Sequence, residues 1–285
     1  MPPAPTSRSR LVALGVGGGA LVLLVATLLS ITHEEPTLRA ASSVPTTTST
    51  SPTMTAPFRP TTGSAETSDS VPTTTGSSGL QALPARTSEV ATVRSNVADV
   101  PVYATADGGD VAQTLDSAGD YGQSQVFLVA GRQGSRLEVL LPVRPNGSRG
   151  WIDADLVDVA SHDYQIQVSL SGFRMLVQRG TEVVIDTAIG VGTQDTPTVG
   201  GDFYTWVLID PTNAGYGSYA YGLSGFSTLE EFAGGDGRMG IHGTTDDSSI
   251  GRNVSHGCVR VPDDVVVEMV EDIGLPLGVP VTVLA

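Results

Sequence analysis

Ile241-His242-Gly243 and, after a short loop, Ser255-His256-Gly257-Cys258-Val259-Arg260 hold the only cysteine of this 285-residue chain and two of its four histidines. The other two, His33 and His162, stand in or beside linker-like sequence. A lone cysteine has no intrachain disulfide partner, and beside imidazoles and a glycine it suits thiolate chemistry. The thiolate rather than the thiol attacks, and a neighbouring imidazolium lowers the thiol pKa from its free value of about 8.5. The stretch therefore points to a cysteine nucleophile with a histidine partner, set in whatever fold its flanks build.

Those flanks are mostly β. Downstream, Pro262 to Ile273 reads as one helix: Pro262 suits the first turn, Asp263 and Asp264 complement the positive end of the dipole, and Gly274 ends it. Val265, Val266, Met269, Val270 and Ile273 would be its buried stripe, and Val279 to Leu284 a closing strand. Upstream, Gln165 to Leu170 and much of Phe173 to Gln178 alternate polar and apolar residues, and Thr181 to Val191 has strand composition. Residues 88–160 form a separate series of short strands: Val100 to Tyr103, Gln125 to Val129 and Arg136 to Leu141, with turns at Asp107-Gly108-Gly109 and Pro145-Asn146-Gly147. Closely spaced strands over about 70 residues predict a small barrel.

The N-terminal third is different in kind. Leu11 to Thr32 is almost wholly apolar and uncharged; at 1.5 Å per residue it spans about 33 Å, enough for a bilayer core. Arg8 and Arg10 precede it and Glu34 and Glu35 follow, so residues 1–10 are expected in the cytoplasm and the rest outside, on a single-pass membrane protein. A cleaved signal peptide is the competing reading, but the apolar run is long and Leu29-Ser30-Ile31 matches a cleavage site poorly. Residues 33–87 are dominated by Thr, Ser and Pro and have too little apolar surface to fold, which reads as a disordered tether. The formal net charge of −15 argues against nucleic acid as a partner.

Residues 161–285 resemble the catalytic domain of L,D-transpeptidases, the YkuD domain. The resemblance is carried by His242-Gly243, the 14-residue step to His256, the run Ser255 to Arg260, and Thr196-Pro197-Thr198-Val199-Gly200-Gly201-Asp202-Phe203, where Val199 replaces the family's usual second proline. Residues 88–160 resemble a bacterial SH3-like domain through Gly150-Trp151-Ile152. The resemblance implies a β-rich catalytic domain with one or more helices, and action on peptidoglycan stem peptides through a cysteine thioester to give 3→3 cross-links. It also implies carbapenem-type β-lactams as covalent inhibitors, and it calls for no cofactor or metal. An L,D-carboxypeptidase and a non-catalytic wall-binding protein are the alternatives.

Under this reading Cys258 is the nucleophile and His242 the general base. His256, Gly257, Ser255 and Gly243 orient the site or supply its oxyanion donors. Arg260 pairs with a substrate carboxylate or, structurally, with Asp263 or Asp264. Tyr221, within Tyr219 to Phe226, lines the substrate site. A zinc site built from His242, His256, Cys258 and Asp246 or Asp247 is the competing use of the same residues.

Overall fold

A computed structural model describes residues 39–40 and 80–285, apart from 120, 212 and 233. The expected membrane segment and nearly all of the Thr/Ser/Pro stretch lie outside the described residues; among those described, no helix is long and apolar enough to cross a membrane.

Arg39–Ala40 forms a two-residue strand, β1. The first lobe contains β2 (Ser88–Val93), β3 (Asp99–Tyr103), β4 (Val111–Asp116), β5 (Val126–Gln133), β6 (Arg136–Leu140), β7 (Arg149–Asp153) and β8 (Val157–His162). Strands β3 and β7 bury every second residue, Val100 and Val102 on one and Gly150 and Ile152 on the other, as expected of a sheet with a single packed face. The strands pair antiparallel in the order β4-β3-β7-β6-β5-β2-β8. Val100 of β3 and Val157 of β8, near opposite ends of that order, belong to one core with Phe127, Leu137 and Ile152, so the sheet curls around it.

The second lobe adds β9 (Tyr164–Ser169), β10 (Arg174–Arg179), β11 (Glu182–Ala188), β12 (Val191–Gly192), β13 (Gly201–Asp210), β14 (Ala220–Phe226), β15 (Arg238–Thr244), β16 (Asn253–Ser255), β17 (Val259–Pro262) and β18 (Pro280–Leu284). Its main sheet runs β11-β10-β9-β18-β13-β14-β15-β17. The long β13 joins the halves: Gly201 to Tyr204 pair with β18, and Thr205 to Ile209 with β14. Its end also pairs with β1. Strands β15 and β17 are parallel, which requires a crossover of a dozen or so residues. Here that crossover is a loop rather than a helix, and it carries Ser255 to Cys258.

Three details depart from the sequence reading. The helix has the expected extent but not a uniform geometry: α1 covers Asp263–Val267 and continues as a π turn over Glu268–Asp272, with the Ile273 N–H bonded to the Glu268 carbonyl at 2.9 Å. Val266, Met269 and Val270 still face the core. Strand β9 has no solvent face, since all six of its residues are buried. Its polar side is covered by residues 81–84, whose backbone pairs with glutamine side chains: Gln167 Nε2 donates to the Gln81 carbonyl (2.8 Å) and Gln165 Nε2 to the Pro84 carbonyl (3.1 Å). The Gln178 amide both accepts from the Leu83 N–H (2.9 Å) and donates to the Leu83 carbonyl (2.6 Å). A glutamine carries a donor and an acceptor on one amide, so it can pair with a backbone as another strand would. Finally, His162 lies within folded structure as the last residue of β8.

The lobes share a third core, in which Leu128 and Leu140 meet Tyr204, Trp206, Val207, Ile209 and Ala220. Each large apolar side chain buried there is worth on the order of 2–3 kcal/mol. The polar tips are satisfied across the junction: Tyr204 Oη donates to the Val126 carbonyl at 3.0 Å, and Trp206 Nε1 to Gln125 Oε1 at 2.7 Å.

Candidate active site

Strand alternation puts Gly240 and His242 on one face of β15 and Met239, Ile241 and Gly243 on the other. His242 is only 4% exposed. Its Nδ1 lies 2.7 Å from the Gly243 carbonyl. A carbonyl only accepts, so Nδ1 carries the proton and Nε2 is left with a free lone pair. Burial pushes the imidazole pKa down to about 4, outweighing the Gly243 hydrogen bond, and the Arg260 charge lowers it further. At neutral pH this histidine is an uncharged base.

Cys258 reaches the same face. A Cβ built on Gly240 would stand 3.9 Å from Cys258 Sγ, so the sulfur lies against the Gly240 backbone. Gly240 and His242 are one strand repeat apart, about 7 Å along β15. The sulfur and the imidazole therefore lie on the same face of β15. The protonation state differs from the sequence reading: burial raises the thiol pKa, against opposing effects of the Gly240 backbone and the Arg260 charge. With the imidazole also desolvated, the resting pair is thiol and neutral histidine, because a low-polarity setting disfavours both charged forms. The Cys258 residue nevertheless keeps part of its surface exposed.

The turn presenting Cys258 is tied on every side. Ser255, 2% exposed, donates from Oγ to the Cys258 carbonyl at 2.6 Å and accepts from the Gly257 N–H at 3.2 Å. Gly257 has φ +117°, and a Cβ there would stand 2.7 Å from Ser227 Cβ, so both backbone and space require glycine. The Thr193 N–H (3.0 Å) and Thr196 Oγ1 (3.0 Å) both donate to the Ser255 carbonyl, and the Gly192 N–H donates to Thr198 Oγ1 (2.9 Å). The Thr196-Pro197-Thr198 segment thus braces the turn. The Gly257 N–H is committed to Ser255, which corrects its reading as an oxyanion donor. The Cys258 N–H has no acceptor among the described residues.

Gly243 orients His242 through its carbonyl, and a Cβ there would collide with Asp263 Oδ1 at 2.3 Å. Arg260 pairs in register with His242 across β15 and β17. Its expected structural ion pair does not form: Asp263 instead accepts from the N–H and Oγ of Ser218, each at 2.7 Å, and Asp264 accepts from the Val265 N–H at 3.0 Å. Among the described residues Arg260 makes no salt bridge, and its buried Nε has no partner.

Two expectations fail outright. His256 is exposed and, among the described residues, makes no hydrogen bond that would hold the loop or the base; its ring stacks on Phe232 at a centroid distance of 4.4 Å and 24°. Tyr221 is fully buried, with its hydroxyl donating to the Leu275 carbonyl at 3.0 Å, because its place in β14 points it into the core. The aromatic ring that does reach the site is Tyr216, 4.8 Å from the His242 ring, with a phenol pKa raised first by burial and then by Cys258. It sits on the short turn Ala214–Tyr216, which Ser218 ties to Asp263. The signal for it was Gly215-Tyr216-Gly217 inside an aperiodic loop. The zinc set does not assemble either, since His256 faces outward and Asp246 caps its own turn; among the described residues no group of three or more His, Cys, Asp or Glu side chains could hold a metal.

Comparison with known proteins finds relatives of the second lobe. The family profile of the L,D-transpeptidase catalytic domain matches residues 163–283. The Bacillus subtilis protein named L,D-transpeptidase YkuD is 31% identical over 130 residues, covering 45% of this chain and 70% of that protein. Its Bacillus licheniformis counterpart is 35% identical over 107 residues, covering 37% and 58% respectively. Among solved structures, the catalytic domain of the Enterococcus faecium L,D-transpeptidase is 25% identical, with 43% of this chain and 98% of that chain aligned at a TM-score of 0.33. From the Bacillus subtilis relative, the chain belongs to the L,D-transpeptidase family of cysteine acyltransferases, and Cys258 and His242 both fall within the residues matched to its catalytic domain.

Proposed function

We propose that Cys258 attacks the carbonyl between the third and fourth residues of a peptidoglycan stem peptide while His242 Nε2 takes the thiol proton. The neutral resting pair has a direct consequence: the proton moves as the C–S bond forms, rather than beforehand. Collapse of the tetrahedral adduct expels the terminal D-Ala amine, which receives the proton from His242, and leaves a thioester on Cys258. The side-chain amine of a second stem then attacks the thioester, His242 accepts its proton, and the 3→3 cross-link leaves as the thiol is restored. The Cys258 N–H stabilises the oxyanion, and the unpaired Arg260 receives a substrate carboxylate.

The observation that carries this reading is the placement of Cys258 Sγ over Gly240, on the face of β15 that also carries the His242 side chain, whose Nδ1 is committed to the Gly243 carbonyl. In this reading residues 11–32 anchor the protein in the cell membrane with both lobes outside, 88–160 act as an SH3-like module, and carbapenem-type β-lactams acylate Cys258. Incubation with a disaccharide-tetrapeptide tests the assignment by mass spectrometry. Cross-linked dimer plus D-Ala is the expected product; free tripeptide would mean a carboxypeptidase, and untouched substrate a wall-binding protein.

A further inference from the structure

The first lobe reaches the wall of the active site through a single turn. Between β6 and β7, Arg144 and Asn146 cross the lobe junction onto the end of β14 and the segment that follows it. Asn146 makes a reciprocal pair with Phe226, donating from Nδ2 to its carbonyl (2.8 Å) and accepting its N–H at Oδ1 (2.9 Å). Arg144 donates to three backbone carbonyls at once: Ser227 (3.2 Å), Leu229 (2.7 Å) and Asp236 (2.9 Å). Its guanidinium also lies 4.4 Å from the Phe226 ring centre.

Three carbonyl dipoles aimed at one point repel unless a cation sits there, and a forked guanidinium satisfies them together. The clamped segment is the one that touches the catalytic turn. Ser227 fills the space beside Gly257, where a Cβ would come within 2.7 Å, and Phe232 stacks on His256. Both contacts fall within two residues of Cys258.

We propose that Arg144 and Asn146 are positioning residues of the active site, so that the first lobe sets the reactivity of Cys258 as well as covering the second lobe. They touch no reacting atom. They hold the Ser227–Phe232 wall against the turn, and the turn in turn sets the approach of the sulfur to a bound acyl group. The inference rests on the reading of Cys258 as the acylated residue.

Stopped-flow acylation of the full-length protein by the chromogenic β-lactam nitrocefin tests it, alongside thermal melts. Arg144→Ala should lower the limiting acylation rate about tenfold or more while changing the half-saturating concentration less than about twofold, since misplacement by a fraction of an ångström acts on the chemical step. Arg144→Lys, which keeps the charge but not the fork, should recover only part of the rate. Arg94→Ala, which removes a surface arginine of the same lobe that bonds only Asp158 and the Asp155 carbonyl, should acylate as the wild type does. Wild-type rates in Arg144→Ala, or an equal loss in Arg94→Ala, would overturn the proposal. If Arg144→Ala does not fold, Asn146→Ala takes its place, with an expected loss of about threefold; no loss in that variant overturns the proposal equally. If the wild type takes up no β-lactam, it is the acyl-enzyme reading that falls. The clamp is then read from iodoacetamide alkylation of Cys258, where a changed rate in Arg144→Ala supports it and an unchanged rate refutes it.

Discussion

His242 and His256 come from one motif and finish in opposite settings. His242 lies inside a strand, 4% exposed and locked to its neighbour's carbonyl. His256 lies on the outside of the crossover turn, stacked on the exposed ring of Phe232. Nearness in sequence gives His256 no place beside His242 on that strand face, although it is only two residues from the sulfur. Strand register, acting over 16 residues of sequence, brings His242 to the same face. Under the proposed mechanism, the contrast means that a parallel pair joined by a loop builds the dyad: the strand fixes the base and the crossover delivers the nucleophile.

The largest expected effect separates the two histidines. His242→Gln should slow β-lactam acylation by roughly 10²–10⁴-fold, the usual worth of a general base, whereas His256→Gln should stay within about fivefold because only a stacking contact is lost. Acylation rates by stopped flow decide this, and equal losses in the two variants would break the comparison.

Stability should record the buried imidazole as well. In the unfolded chain His242 takes a proton below its ordinary value of 6.5, and in the folded protein only below about 4. Between those limits the unfolded state binds more protons, so its contribution is intact above pH 6.5 and falls as pH drops toward 4, by about 3 kcal/mol. His162, also lowered mainly by burial, acts in the same direction. Denaturant unfolding across that window should give a shallower pH dependence for His242→Gln than for wild type.

The turn itself comes next. Gly257→Ala forces a side chain into a left-handed backbone position and against Ser227, and should destabilise by about 2–3 kcal/mol, visible as a lowered melting temperature with reduced acylation. The smallest effect lies far from both histidines. Gln178→Ala would leave the Leu83 N–H and carbonyl without their partner and should cost about 1–2 kcal/mol without altering acylation of the folded fraction.

Much of this was legible in the chain. Alternation located β9 and β10, apolar runs between turn signals located β3, β5 and β6 of the first lobe, and the glycines of the motif marked the turn, because all depend on short-range constraints. What stayed hidden depends on contacts between distant segments. The alternation of Gln165 and Gln167 resembles a solvent face, and only residues 81–84 laid across it make it buried. Tyr221 and Tyr216 are equally aromatic and lie in the same glycine-rich stretch. Pairing of Tyr221 with Ile241 sends one into the core, and the Ser218–Asp263 tie brings the other over His242. The raised thiol pKa was equally invisible: sequence proximity to histidine predicted a lowered value, while packing around the sulfur decides its direction.

The central claim is that Cys258 rests as a neutral thiol beside a neutral His242 and loses its proton only as substrate is attacked. Iodoacetamide alkylation of Cys258, followed by mass spectrometry across a pH series, tests it most directly. The rate should stay low through neutrality and rise only above the ordinary thiol range of about 8.5. A fast plateau from about pH 5 to 8, the signature of a thiolate–imidazolium pair, would contradict it.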